Sequence, residues 1–212
     1  MNSKRGWTAG ARWVLGSVVL GAVIALAASP GLSEDKKDKP VMSEKEMKEM
    51  QACIEFATPG EHHAHLKQLI GEWNAVSKFW MAPQTEPQVG NGTSKTKAIL
   101  GGRYVVDEYE GTAMDMPFSG FGISGFDNMN KKYVNIWMDS MGTSPMISHG
   151  TCDASGKEFS YRGEYDDPMK GKKVKSRSIV RIINNSKFTF EMYGPDENGK
   201  EFKNLEVVYT RK

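Results

Sequence analysis

The sequence predicts an all-β fold, an antiparallel up-and-down barrel of about nine or ten strands with one or two short helices before it. After Gly71, short segments rich in Val, Ile, Tyr, Phe and Thr alternate with turn signals, at the spacing that is typical of a meander. No helical pattern interrupts these segments, so parallel β-α-β units are excluded. Closing such a sheet into a barrel removes its exposed edges.

Two-residue alternation of side chains supports this interpretation. In the segment EFSYRGEY at 158–165, the aromatic residues Phe159, Tyr161 and Tyr165 share one face, and charged residues occupy the other. Such a strand is expected to turn one face toward a core and the other toward solvent.

Two helices are predicted before the first strand. Residues 43–58 form an amphipathic helix, because Ser43 and Glu46 have the spacing of a capping box and apolar residues recur at helical intervals. A second helix begins at Thr58-Pro59-Gly60-Glu61, with Thr58 as its cap, and ends at Gly71.

The second helix is expected to cover one end of the barrel. Leu66, Leu69 and Ile70 give it an apolar face directly before the first strand. Trp73, on that strand, then either forms the floor of the barrel or is a core aromatic residue. Residues 59–212 are therefore predicted to form one barrel domain with its own capping helix.

The N-terminal segment is typical of an export signal. Lys4, Arg5 and Arg12 precede an apolar run, and small residues at 25–27 offer a cleavage site. The sequence predicts a signal peptide over 1–28, or an N-terminal anchor if it stays uncleaved, followed by a flexible linker over 29–42. Both alternatives make the protein exported, either periplasmic or secreted, and membrane contact is expected only if the segment stays uncleaved, through residues 13–28.

Charge and cysteine content narrow the function classes further. The formal net charge of the 212 residues is +2, which gives no electrostatic reason to expect a nucleic-acid partner. Cys53 and Cys152 are the two cysteines, and their spacing alone does not decide whether they pair. Phosphate-binding glycine loops and a Gly-x-Ser-x-Gly nucleophile turn are both missing.

One predicted strand, GRYVVDEYEG, brings a carboxylate inward whichever face it buries. Arg103, Val105, Asp107 and Tyr109 share one face, and Tyr104, Val106, Glu108 and Glu110 share the other. A buried carboxylate is costly unless it is hydrogen-bonded or paired, so such a group is a candidate for a binding pocket. The alternative is that Glu108 and Glu110 lie at a wetted barrel mouth.

The strand KYVNIWMDSMG places an aromatic side chain beside polar ones, the usual composition of a small-ligand site. The hypothesis is that aromatic residues line the lumen and a few polar residues orient a ligand. The candidate residues are Trp73, Tyr109, Trp137 and Tyr161 as walls, with Glu108, Asn135, Asp139 and Arg177 as polar contacts.

Histidines are the candidates for metal or haem binding, although no cofactor is identified by the sequence. His62 and His65 lie three residues apart and share a helix face, as metal ligands do. The alternative is that they are solvated at a helix end. His149 is the histidine of the barrel region, and is the candidate for a haem ligand.

Longer strings of the chain resemble a known family more specifically than Gly71-Glu72-Trp73 does. They are GEWNAVSKFW, ILGGRYVVDEYEG, PFSGFGISGFDN, KKYVNIWMDSMGT, GEYDDPMKGKK and FEMYGPDENGKEFKNLEVVYTRK. Over about residues 60–212 the chain is similar to the bacterial domain of unknown function 1579 family, a calycin-like barrel family of the group that includes lipocalins. The resemblance implies the barrel fold and no particular reaction or ligand.

Three functions are compatible with these patterns. The first is an exported barrel that binds a small, partly apolar ligand in its lumen. The second is an enzyme that uses Glu108 or Asp139 as a general acid or base in the same cavity. The third is an interaction module of the cell envelope that uses the helix at 44–57 or a strand edge.

Overall fold

The computed structural model describes residues 42–168 and 170–212. The predicted export segment 1–28, and the linker 29–42 except its last residue, lie outside the described residues. Within the described ranges, no helix is both long enough and apolar enough to span a membrane.

Two α-helices and ten β-strands make up the described chain. The helices are α1 (Glu44–Ala57) and α2 (Glu61–Leu66), the latter extended by a 3-10 turn at Lys67–Leu69. The strands are β1 (Gly71–Phe79), β2 (Gln88–Ile99), β3 (Tyr104–Ala113), β4 (Met116–Asp127), β5 (Lys132–Asp139), β6 (Met146–Cys152), β7 (Glu158–Asp167), β8 (Lys172–Asn184), β9 (Lys187–Pro195) and β10 (Glu201–Arg211).

The ten strands form one closed barrel in chain order, with every neighbouring pair antiparallel. The barrel closes where β10 pairs with β1, for example between Val76 and Val208. The prediction of an all-β, up-and-down barrel with short N-terminal helices is therefore confirmed.

Alternation along each strand separates an inner face from an outer one. On β1, Trp73 and Ala75 are buried while the residues between them are exposed. The inward side chains of several strands join in one hydrophobic cluster that runs along the barrel interior. Because the period is two, each residue's place in its strand fixes which face it occupies.

Helix α2 and its 3-10 extension close one end of the barrel, as expected. Leu66 is only 1% exposed and belongs to the core, and Leu69 and Ile70 pack against that core. Trp73, also 1% exposed, donates its indole N–H to the carbonyl oxygen of Leu69 at 2.9 Å. Trp73 is thus both the floor of the barrel and a core residue.

The passage from helix to strand depends on Gly71 and Arg211. Gly71 has φ +148°, and a Cβ there would lie 2.2 Å from Nη1 of Arg211. That guanidinium lies over the Trp73 ring, 4.2 Å from its centroid, and donates to the carbonyl oxygen of Ile70 at 3.2 Å. Because Gly71 has no side chain, the Arg211 guanidinium has room to lie across the closed end of the barrel.

Helix α1 has the predicted capping box but buries none of its residues. Ser43 Oγ accepts the backbone N–H of Glu46 at 3.3 Å, and the Glu46 carboxylate accepts the Ser43 N–H at 2.8 Å. The helix is held at its C-terminal end by Asn128, whose amide donates to the carbonyl oxygens of Phe56 and Thr58, each at 2.9 Å.

The predicted cap of the second helix is wrong. Thr58 ends α1 instead, because its hydroxyl donates back to the carbonyl oxygen of Ile54 at 2.6 Å. Helix α2 begins at Gly60, whose N–H is accepted by Nδ1 of His63 at 3.1 Å. The His63 side chain, at the third helical position, therefore accepts the N–H of the N-cap residue, as one half of a capping box.

Candidate functional site

Inner-face side chains are fully buried at the α2 end of the lumen and only partly buried farther from it. Near α2, Leu66, Trp73, Tyr133 and Phe159 are each only 1% exposed. Farther along, several inner-face side chains that pack against this core are only partly buried, namely Phe118, Trp137, Phe190 and Leu205. We call the region lined by these partly buried side chains the open half of the lumen.

Asp107, not Glu108, is the carboxylate that β3 turns inward. Asp107 lies between buried Val105 and Tyr109 on the inner face, whereas Glu108 is exposed outside and pairs with Lys97 at 2.8 Å. The assignment of Glu108 to the lumen is therefore corrected. The sequence did contain the signal, since Asp107 shares its strand face with Tyr109.

The Asp107 carboxylate is held by two hydroxyl groups and no cation. Ser94 Oγ and Thr96 Oγ1, both buried on β2, donate to the same oxygen, Oδ1, the latter at 3.0 Å. Burial raises the pKa of Asp107, and the two hydroxyls offset part of this effect. Among the described residues, no cationic group lies within ion-pair distance, and none donates a hydrogen bond to Oδ2.

Tyr109 lies against the wall next to this carboxylate. A Cβ at Gly92 would be 2.5 Å from the Tyr109 hydroxyl, so the phenol occupies the space that a larger residue on β2 would fill. Its ring meets Phe118 edge to face at 5.7 Å, and Ser77 hydrogen-bonds to its hydroxyl. Burial raises its pKa, which keeps the phenol neutral.

Trp137 lies flat on two glycines of β4. A Cβ at Gly120 would be 2.3 Å from the indole ring, and one at Gly122 would be 3.2 Å from it. The indole N–H donates to Oδ2 of Asp139 at 2.9 Å, which fixes the ring orientation. Gly122 also adjoins Asp107, because a Cβ at position 122 would lie 3.6 Å from the Cβ of Asp107.

The remaining inward candidates are Asn135 and Tyr161. Asn135 donates to Oγ of Ser124 on the neighbouring strand at 2.9 Å. Tyr161 is 5% exposed, and its ring lies 2.7 Å from the position of a Cβ at Gly150. Three aromatic rings thus lie along the wall over glycines, an arrangement that limits how far they extend toward the barrel axis.

Arg177 lies outside the barrel, so its assignment to the lumen is corrected. Its guanidinium donates to both carboxylate oxygens of Glu201 and stacks on Tyr193, 3.8 Å from the ring centroid. On β8 the inner positions are instead those of Val180 and Ile182, which pack in the core. Arg177 is therefore part of an outer-wall ion-pair network.

The three histidines of α2, which are His62, His63 and His65, lie at the closed end of the barrel. Tyr133 donates its hydroxyl to the carbonyl oxygen of His62 at 3.1 Å and lies 3.0 Å from Nδ1 of His65. In the described ranges, no group of three or more His, Cys, Asp or Glu side chains is arranged to hold a metal ion. The predicted metal ligands His62 and His65 thus have packing partners instead of a third ligand.

His149 does not face the lumen. It is exposed on β6 between Ser148 and Gly150, which are both buried on the inner face. An outward side chain cannot ligate a haem inside the barrel, so this candidate is corrected. Cys53 and Cys152 are free thiols, the first exposed and the second partly buried.

The family follows from the sequence comparison. Residues 58–211 match the family described as "Protein of unknown function (DUF1579)". The chain belongs to this family. No curated protein matches this DUF1579 chain.

A solved structure supports the barrel fold of this DUF1579 protein. The crystal structure of Rv2717c from M. tuberculosis is 14% identical and has a TM-score of 0.55, with 73% of this chain and 99% of that chain covered. A redesigned β barrel, mFAP0, bound to DFHBI is 14% identical with a TM-score of 0.37, over 68% of this chain and 99% of that chain. At these identities the first comparison shows the fold, and the second carries no argument about function.

Sequence reasoning missed a cleft in the wall of this DUF1579 barrel. The β8–β9 ladder ends at the pair Arg177–Tyr193, although β8 continues to Lys172 and β9 to Pro195. A cleft of about 680 Å³ lies between these diverging ends, lined by residues 170–175 on one side and 194–201 on the other. Turn signals in a sequence do not reveal where two paired strands separate.

Proposed function

We propose that this protein binds a small, partly apolar molecule in the open half of its lumen. The observation that carries the proposal is Asp107, an inward carboxylate whose Oδ2 has no hydrogen-bond donor among the described residues. Burial disfavours the charged form of this partly exposed carboxylate, and no described cation offsets that effect. A ligand that donates a hydrogen bond or carries a positive charge would relieve that cost.

The surroundings of Asp107 favour a flat, partly apolar ligand body. Tyr109 and Trp137 are inner-face aromatic residues of the hydrophobic cluster, and Gly122 lies next to both Trp137 and Asp107. Apolar walls with a few fixed polar groups are the usual composition of small-molecule sites. The proposed ligand therefore combines an aromatic or aliphatic body with one hydrogen-bond donor directed at Oδ2.

The proposal includes export of the barrel to the periplasm or the medium. Its support is the sequence of residues 1–28, with three cationic residues, an apolar run and small residues before Ser29. Cell fractionation with N-terminal sequencing of the mature chain tests it. A full-length chain in the cytoplasm would contradict this part and leave lumen binding to be judged by itself.

Native mass spectrometry of protein purified from its own host tests lumen binding. Wild-type protein is expected to carry a bound small molecule, and Asp107→Asn to lose most of it. Glu108→Gln is the matched control, because it changes the adjacent carboxylate on the outer face. Wild-type protein without any bound mass, or equal retention by both variants, would contradict the proposal.

A second candidate function is catalysis by Asp107 as a general base. It is favoured by one observation, the raised pKa of this inward carboxylate, since burial brings a carboxylate closer to the pKa of an effective base. The earlier candidate Glu108 is excluded from this role by its outward position. If wild-type protein converts the molecule released from it into a product of different covalent structure, and Asp107→Asn does not, catalysis is supported over binding alone.

A further inference from the structure

Asn204 carries the most unusual polar group of the described barrel. Its Oδ1 atom is buried without any hydrogen-bond partner, and it is the one such side-chain atom among the described residues. Within those residues, its Nδ2 atom makes no hydrogen bond either. Leaving a buried amide oxygen unpaired costs stability, so such a group calls for an explanation.

A β-bulge directs this side chain to the interior. The β9–β10 register shifts between Lys203 and Leu205, so Asn204 is the extra residue of the bulge. Leu205 packs against the inner core, while Lys203 bonds to Glu191 on the outer wall. Bulges of this kind re-aim side chains, and they are enriched next to functional sites.

The amide adjoins a second polar group at the inner side of the wall cleft. A Cβ at Gly194, which lines the cleft, would lie 3.0 Å from Nδ2 of Asn204 and 3.6 Å from the hydroxyl of Tyr165. Tyr165 belongs to β7, so its ring reaches across the inner face of β8 to this point. The space exists because position 194 has no side chain.

We propose that Asn204 and Tyr165 form a polar subsite that binds the amide group of the lumen ligand. Oδ1 of Asn204 needs a donor and Nδ2 is free to donate, and a carboxamide or lactam presents an N–H and a carbonyl oxygen side by side. The Tyr165 hydroxyl bonds to the second lone pair of the ligand carbonyl. This inference rests on the proposed lumen function and adds a chemical class to it, an apolar body that carries an amide.

Benzamide and N,N-dimethylbenzamide are the probes that test this subsite. Both have an apolar ring and a carbonyl acceptor, but only benzamide has N–H donors for Oδ1. Wild-type protein is expected to bind benzamide about tenfold more tightly, the effect of one buried hydrogen bond. Binding is measured from the backbone amide signal of Gly194 in ¹⁵N-correlated NMR spectra, because this residue adjoins Asn204 and is present in wild type and in every variant.

The variant Asn204→Leu separates a binding role from a structural one. Because leucine has a similar size and no unpaired polar atom, the melting temperature of the unliganded protein is expected to stay equal or rise. The preference for benzamide over its dimethyl derivative is expected to disappear. Asn74→Leu, the same change at an exposed site on β1, is the control that leaves the preference intact.

Two results would overturn this inference. A lower melting temperature for unliganded Asn204→Leu would mean that the amide holds the barrel together, for instance through a buried water. Equal affinity of wild-type protein for the two probes, including no binding of either, would mean that no amide subsite exists. If host-purified Asn204→Leu keeps the bound mass that Asp107→Asn loses, the amide subsite is wrong while lumen binding stands.

Discussion

Asp107 and Glu108 are consecutive residues of β3, and their carboxylates lie on opposite sides of the barrel wall. Asp107 is hydrogen-bonded inside to Ser94 and Thr96, and Glu108 forms an ion pair outside with Lys97. The two environments shift the pKa values in opposite directions. Burial raises the pKa of Asp107, and the hydrogen bond from Lys97 lowers that of Glu108.

The raised pKa of Asp107 predicts that Asp107→Asn stabilises the unliganded protein at neutral pH. A carboxyl whose pKa is raised on folding favours the native state below its unfolded pKa, and this contribution is lost as pH rises through the folded pKa. The advantage of Asp107→Asn over wild type should therefore grow from about pH 3 to pH 7. Urea unfolding at a series of pH values measures it.

Glu108→Gln is the control with the opposite sign. Lowering of the Glu108 pKa contributes stability that is present above the unfolded pKa and is lost at acidic pH. Its removal is expected to change stability little, because the ion pair is exposed to solvent. If Asp107→Asn shows no pH-dependent advantage over wild type, the carboxylate is better solvated in the lumen than its position implies.

The barrel itself followed from periodicity, because alternation and turn spacing are local properties that the chain displays directly. The direction in which each strand faces was harder to predict. On β3 both faces carry a carboxylate and large side chains, so Asp107 and Glu108 were equivalent until the pairing was known. Arg177 was misplaced for a related reason, since β8 buries Ile179 on its outer face as well as Ile182 on its inner face.

The indole of Trp137 is predicted to need the glycine beneath it. Gly120→Ala would place a methyl group 2.3 Å from the ring and force it off the wall. Such overpacking is expected to cost about 1–3 kcal/mol of stability and to shift the tryptophan emission. Gly142→Ala is the control, because nothing lies within 4 Å of that Cβ position. Equal stability of the two variants would show that Trp137 moves freely.

The closed end of the barrel is predicted to weaken in mild acid through His63. This ring is 5% exposed, accepts the Gly60 N–H at Nδ1, and donates to the carbonyl oxygen of Phe126. Burial is the main reason that its pKa is lowered, so the folded protein holds it neutral. Its contribution to stability is therefore present above the unfolded pKa and is lost as pH falls toward the folded pKa.

Unfolding between about pH 8 and pH 5 checks this effect. The free energy of unfolding of wild type should fall across this range, and His63→Asn should have a flatter profile. His149→Asn should follow wild type, because that histidine is exposed on the outer wall. A wild-type slope that His63→Asn leaves unchanged would assign the acid sensitivity to other groups.

One hairpin has no turn signal in the sequence. The β3–β4 turn consists of Met114 and Asp115, which have φ values of +52° and +59°. Two positive φ values define the turn type that suits antiparallel hairpins, yet Asn and Gly are the residues that usually adopt it. The other connections have Gly, Pro or Asn to mark them, so this turn could only be found from coordinates.

The same turn predicts a stabilising substitution. At Asp115 an L-residue is held in the left-handed region, which costs roughly 1–2 kcal/mol relative to a relaxed backbone, whereas glycine adopts that region freely. Asp115→Gly is therefore expected to raise the free energy of unfolding by about 1 kcal/mol, less the entropy that glycine adds to the unfolded chain. Gly199→Asp is the reverse control, since Gly199 has φ +81° in the β9–β10 turn with no atom within 4 Å of its Cβ position, and it should be destabilised by the change. Urea denaturation of both variants measures the difference, and a loss of stability in Asp115→Gly would mean that the carboxylate itself holds the turn.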